Sequence, residues 1–73
     1  MNIIFSRHAK RQMKWRKITE IEVKSVIDNP DIVVDTIKDR KNVFKITGGR
    51  NLKITYKPED GNLTIITAMV KGG

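Results

Sequence analysis

Val43-Phe44-Lys45-Ile46-Thr47-Gly48-Gly49-Arg50-Asn51-Leu52-Lys53-Ile54-Thr55-Tyr56-Lys57 is the stretch that decides the fold. Side chains here repeat with period two and are rich in β-branched residues, the pattern of a pleated, half-buried strand. The glycine pair supplies the positive φ angles that a tight hairpin turn needs. The spacing predicts a strand over Val43 to Thr47, a turn at Gly48-Gly49 and an antiparallel partner over Leu52 to Lys57. Tyr56 shares a strand face with Leu52 and Ile54. Core packing is its expected role, with the hydroxyl reaching the sheet edge.

Outward from the hairpin, Pro58-Glu59-Asp60-Gly61 is a strong turn signal. Leu63 to Val70 follows as a strand that is apolar on both faces, which predicts an interior position in the sheet. On the other side, Asp39-Arg40-Lys41-Asn42 reads as a turn and Ile32 to Ile37 as a strand. Upstream of Pro30 the period is helical. Thr19 and Glu22 have capping-box spacing, and Val23, Val26 and Ile27 fall within one apolar arc. Asp28-Asn29-Pro30 closes that helix, because the residue before proline avoids the helical region. A first helix over about Arg7 to Arg16 starts at a Ser6 cap. It turns Ala9 and Met13 inward and Arg7, Lys10, Arg11 and Lys14 outward, with His8, Gln12 and Trp15 along the seam. Asn2 to Phe5 is a short apolar stretch that can form a strand. The expected architecture is one α+β domain over residues 1–73, two N-terminal helices packed on a four-stranded antiparallel sheet.

The chain has 73 residues, so the core is thin, and it has no cysteine to brace it. Its net charge is +7, unevenly placed. Residues 1–19 and 40–57 each hold six Lys/Arg and no acid, whereas residues 20–39 hold six acids and two lysines. If the fold brings the basic blocks together, they form a positive face for an anionic partner. No apolar run approaches the roughly 20 residues that span a bilayer. Met-Asn-Ile-Ile-Phe is too short for a secretion signal and runs straight into charge, so the expected location is the cytoplasm. One histidine, scattered acids and no cysteine give no metal site, and no glycine pattern for phosphate or dinucleotide occurs, so no cofactor is expected.

Metal-independent RNA cleavage needs a general base, a general acid and cations about the phosphate. His8 is the one side chain here that ordinarily titrates near physiological pH. Tyr56 is a possible proton donor, and Arg16, Arg40, Arg50 and Lys53 are possible phosphate clamps. A lone histidine near a helix start is usually structural, hydrogen-bonded to a backbone group. Two roles are open to Arg16, which projects on the apolar side of its helix: a phosphate contact, or a buried pair with Asp28, Asp31 or Asp35, since unpaired buried charge is costly. Trp15 is read as half-buried packing, with base stacking as the alternative.

Phe5-Ser6-Arg7-His8-Ala9, Gln12-Met13, Arg16 and Ile18-Thr19, then Asn29-Pro30-Asp31 and Ile66-Thr67-Ala68, together resemble the small family known as domain of unknown function 4258. His8, Gln12, Arg16 and Thr67 match its motif positions. Lys17 stands where the family usually has glycine, which implies an inter-helix turn that is less sharp or more strained, and Met69 stands where an aromatic is common. The family's helix-helix-sheet order is similar to the RelE/ParE toxin fold. That implies RNA cleavage or ribosome binding, with an acidic antitoxin protein as a partner. On this reading His8, Arg16 and Tyr56 are the candidate catalytic residues. Lys10, Arg11, Lys14, Arg40, Arg50 and Lys53 are the candidate nucleic-acid contacts. The alternative is a non-catalytic nucleic-acid-binding or protein-interaction module.

Overall fold

The computed structural model describes residues 2–36 and 38–71. Ser6 is extended and its Oγ accepts the Ala9 N–H at 3.0 Å, so α1 (Arg7–Arg16) starts where a hydroxyl satisfies an orphan donor. It ends at Lys17, whose φ of 55° is left-handed, and the Ile18 N–H returns to the Met13 carbonyl at 2.8 Å in a Schellman-type closure. The lysine therefore occupies a conformation in which glycine carries no Cβ penalty. Thr19 opens α2 (Glu20–Asp28) with a complete capping box, its Oγ1 accepting from the Glu22 N–H and its own N–H donating to Glu22 Oε1.

Five strands form one sheet: β1 (Asn2–Phe5), β2 (Ile32–Asp35), β3 (Lys41–Thr47), β4 (Arg50–Glu59) and β5 (Asn62–Val70), in the order β1-β5-β4-β3-β2. The expected four-stranded antiparallel sheet is corrected on both counts. Asn2–Phe5 joins the sheet, and it runs parallel to β5, with Phe5 beside Ile65. The other three pairings are antiparallel. A parallel neighbour needs a long crossover, and here everything between the first and last strands supplies it. β5 lies inside the sheet, as its two-sided apolarity predicts. Gly48 and Gly49 make the β3–β4 turn with φ of 59° and 79°. Asp60 and Gly61 alone make the next one, because β4 continues through Pro58 and Glu59. β2 is shorter than expected, and position 37 lies outside the described residues.

Both helices cover one face of the sheet. Ala9, Met13, Val23 and Val26 meet Val43, Leu52, Ile54, Ile65 and Ala68, all buried, and Tyr56 packs at the margin of this core. Fully burying one such aliphatic side chain stabilises by about 1.5–3 kcal/mol. β5 contains an irregularity: Thr55 pairs with Thr67, but Tyr56 pairs with Ile65. Ile66 is thus an extra residue, a β-bulge that resets the alternation. Leu63 and Ile65 face the core before it, and Ala68 and Val70 after it. Uninterrupted alternation would have put Met69 inward; it is 36% exposed.

Candidate nucleic-acid interface

The same alternation that buries Val43, Leu52 and Ile54 sends Asn42, Phe44, Lys53 and Thr55 to the opposite face, which no helix covers. In register, Phe44 lies beside Lys53, and Lys53 beside Met69. The Lys53 Nζ is 6.0 Å and the Lys71 Nζ 5.0 Å from the centroid of the Phe44 ring. Each such contact is worth about 0.5–1 kcal/mol at an exposed site, little enough for the ammonium groups to be redirected to a ligand. Next to the ring, Thr55 Oγ1 donates to Asn42 Oδ1 at 2.6 Å. Asn42 and Thr55 lie in a shallow groove of about 440 Å³ that Lys38, Arg40, Lys53 and Thr67 also line. No carboxylate lines it among the described residues. Asp35 and Asp39 lie in the adjoining depression by the β2–β3 turn. The arrangement offers a ring face for stacking and converging cations for phosphate.

The residues singled out from sequence distribute over several places. Arg40 and Lys53 belong to this groove. Lys10, Arg11 and Lys14 are exposed on the side of α1 turned away from the sheet, and so lie on the opposite side of the molecule from Arg40 and Lys53. Arg50 is engaged in structure. Its Nη1 donates to the Arg16 carbonyl at 2.9 Å, and its Nη2 donates to the Lys17 carbonyl at 3.2 Å and pairs with Glu22 Oε2 at 2.8 Å. It closes the end of α1 onto the start of α2. The Glu22 carboxyl is held below its ordinary value, first by the Thr19 backbone N–H; burial opposes this, and the hydrogen bond and charge of Arg50 add to the lowering.

His8 is exposed near the start of α1, and no hydrogen bond or ion pair engages it among the described residues. Arg16 lies eight positions on, about 12 Å along the helix axis at 1.5 Å per residue. Tyr56 is partly buried on β4. No hydrogen bond connects these three side chains among the described residues. The buried ion pair considered for Arg16 does not form: its Nη1 is buried without a partner, and the guanidinium carbon stands 4.8 Å from the centre of the Trp15 ring. Trp15 itself is 77% exposed, not half-buried. Sequence reading passed over Phe44, Asn42, Thr55 and Lys71. Strand parity carried the signal, since a Phe at the opposite parity from Val43 has to leave the core.

Other motif residues hold the fold. Ser6 Oγ donates to the Ile66 carbonyl at 3.3 Å, and the Gln12 side-chain oxygen accepts the Ala68 N–H at 3.1 Å. Ala9 and Met13 are core. Residues 5–70 match the model of the family described as Domain of unknown function (DUF4258), and the chain belongs to that family. No curated protein and no solved structure matches it. No helix among the described residues is long and apolar enough to cross a membrane.

Proposed function

We propose that this domain binds single-stranded RNA across the uncovered face of its sheet. One observation carries the reading: an aromatic ring stands clear of the core with two lysine ammonium groups over it, beside a groove with basic and hydroxyl side chains. Stacking on an aromatic with cations along the backbone path is the physics of sequence-tolerant single-strand binding. A duplex, whose bases are already stacked, gains only the phosphate contacts. The test is fluorescence anisotropy with a labelled single strand and the duplex of the same sequence over a salt series. With Lys38, Arg40, Lys53 and Lys71 as contacts, the log–log slope for the single strand is about −3, and the single strand binds more tightly. Equal affinity for both, or no salt dependence, rejects the reading.

A second reading, a RelE/ParE-like endoribonuclease toxin with an acidic antitoxin, is favoured by one feature. A strand lying over Thr67 leaves the sheet across β5, where Gln12 is anchored. Gln12 is one helical turn from the free imidazole of His8. Under this reading purified protein, alone or with ribosomes, leaves cyclic phosphate ends. His8→Ala then abolishes cleavage at unchanged RNA affinity and melting temperature. Intact RNA in the wild-type reaction ends it.

A further inference from the structure

The geometry points to β2 as a self-pairing edge: two copies of this chain join antiparallel along Ile32–Asp35, with Val34 of one opposite Val34 of the other. Every residue of β2 is exposed, with Ile32, Val33 and Val34 at 57%, 52% and 44%. Val33 projects to the helix side, yet neither helix covers it. Exposed strand edges are ordinarily blunted by shortness, by charge, above all lysine, by proline or by a bulge; Ile-Val-Val-Asp is short and ends on one carboxylate, but it holds no lysine, proline or bulge.

Backbone parity fixes the register. The Thr36 N–H donates to the Arg40 carbonyl at 2.9 Å, in step with the pairing of Val34 to Asn42 and Ile32 to Phe44. The even positions therefore bond inward to β3, and the N–H and C=O groups of Val33 and Asp35 point out to the free edge. A two-fold pairing must match outward groups with outward groups. Centred on Val34, it bonds Val33 of each copy to Asp35 of the other and sets no like charges opposite. Centred on Val33, it would set Asp31 against Asp35 and need the Asp31 N–H, which already donates to the Phe44 carbonyl at 2.8 Å.

Charge favours a second copy as the occupant. The molecule carries +7, so two copies repel over most orientations. Around β2 the balance is even: Asp28, Asp31, Asp35 and Asp39 against Lys38, Arg40, Lys41 and Lys45, four acids and four bases. This is where two copies approach without repulsion. The two-fold axis stands perpendicular to the sheet, so both Phe44 rings lie on one side of the dimer.

The test uses nuclease-treated full-length chain, so that RNA cannot bridge copies and failure of the RNA reading is separate. Sedimentation velocity over about two decades of concentration shows a reversible dimer. The chain has no cysteine, so Val34→Cys reports the register: mild oxidation links it into a dimer, because directly opposed, non-hydrogen-bonded positions bring Cβ atoms near disulfide distance. Val33→Cys, displaced across the axis from its counterpart, stays unlinked. Val33→Pro removes only an outward N–H and gives a monomer that melts close to wild type. Val34→Lys, which sets two ammonium groups on the axis, also gives a monomer. A wild type monomeric throughout, equal cross-linking at 33 and 34, or dimers persisting in both Val33→Pro and Val34→Lys overturns the proposal.

Discussion

Gln12 accepts the Ala68 N–H at 3.1 Å, across 56 residues of chain. β1 accompanies β5 only as far as Ile65. The Lys71 N–H donates to the Asn51 carbonyl, which sets Ala68 in a pair whose backbone groups point away from β4. The glutamine thus stands where a longer first strand would have been. Gln12→Ala leaves that N–H without its partner and costs about 1–2 kcal/mol. For a domain of this length that lowers the melting temperature by several degrees per kcal/mol. Gln12→Glu keeps an acceptor and stays within about 0.5 kcal/mol of wild type in denaturant titrations.

Lys17 holds a left-handed conformation at the end of α1. Its backbone contacts, including the carbonyl that accepts from Arg50, survive the loss of the side chain. Lys17→Gly therefore raises stability by about 0.5–1 kcal/mol, the strain relieved exceeding the added freedom of the unfolded chain. A fall in the denaturation midpoint contradicts this account of the turn.

Arg16 buries one guanidinium nitrogen without a partner. Removing a buried nitrogen that has no partner relieves a desolvation cost, which outweighs the Trp15 ring contact of about 0.5–1 kcal/mol at an exposed site. Arg16→Met accordingly melts at or above the wild-type temperature, whereas breaking a buried ion pair would have cost about 3–5 kcal/mol.

Glu22 has its carboxyl held below the ordinary value of 4.5 by the Thr19 N–H and Arg50. A depressed folded-state pKa stabilises above the unfolded value and is lost as pH falls through the folded one. Stability therefore declines as pH drops below about 4.5, and Glu22→Gln flattens that part of the profile in denaturant midpoints measured from pH 6 downward. The Arg50 pair is partly solvent-exposed and adds little by itself.

Phe44 and the lysines over it separate two components of RNA affinity. Phe44→Ala costs about 1–3 kcal/mol at every salt concentration, as loss of a stacked base does. Lys53→Ala and Lys71→Ala each reduce the magnitude of the salt slope by about 0.7. The pair Lys10→Ala and Lys14→Ala, on the far side of α1, leaves single-strand affinity close to wild type. Anisotropy titrations of the four variants decide between the faces.

Local chemistry was readable wherever a residue acts on its neighbours. Ser6, the Thr19–Glu22 box and the glycine pair set their elements by contacts three or four residues away, and each element lies where those residues put it. What was not readable depends on pairs distant in sequence. Nothing within Asn2–Phe5 says that its partner is β5, or that the pairing is parallel. The Ile66 bulge is invisible because the residues around it are apolar in either phase. Trp15 was expected half-buried on the seam of its helix; whether a neighbour reaches that seam is a property of the assembled fold, and the ring is 77% exposed. For the interface, Arg40 and Lys53 were legible as charge, but Phe44 gained meaning only when the sheet proved bare on one side.

The pairing of Phe5 with Ile65 sets a condition on biosynthesis. β1 is made before every other element of the sheet, and β5, its neighbour among the described residues, is made after all of them. During translation Asn2–Phe5 has no place to dock, and the nascent chain carries two capped helices and an incomplete sheet until β5 emerges. Contacts this distant in sequence slow folding, because the loop they close must be ordered before they repay it. The edge of the sheet is thus sealed only once β5 has emerged, and a chain truncated before Ile65 would leave its first strand exposed.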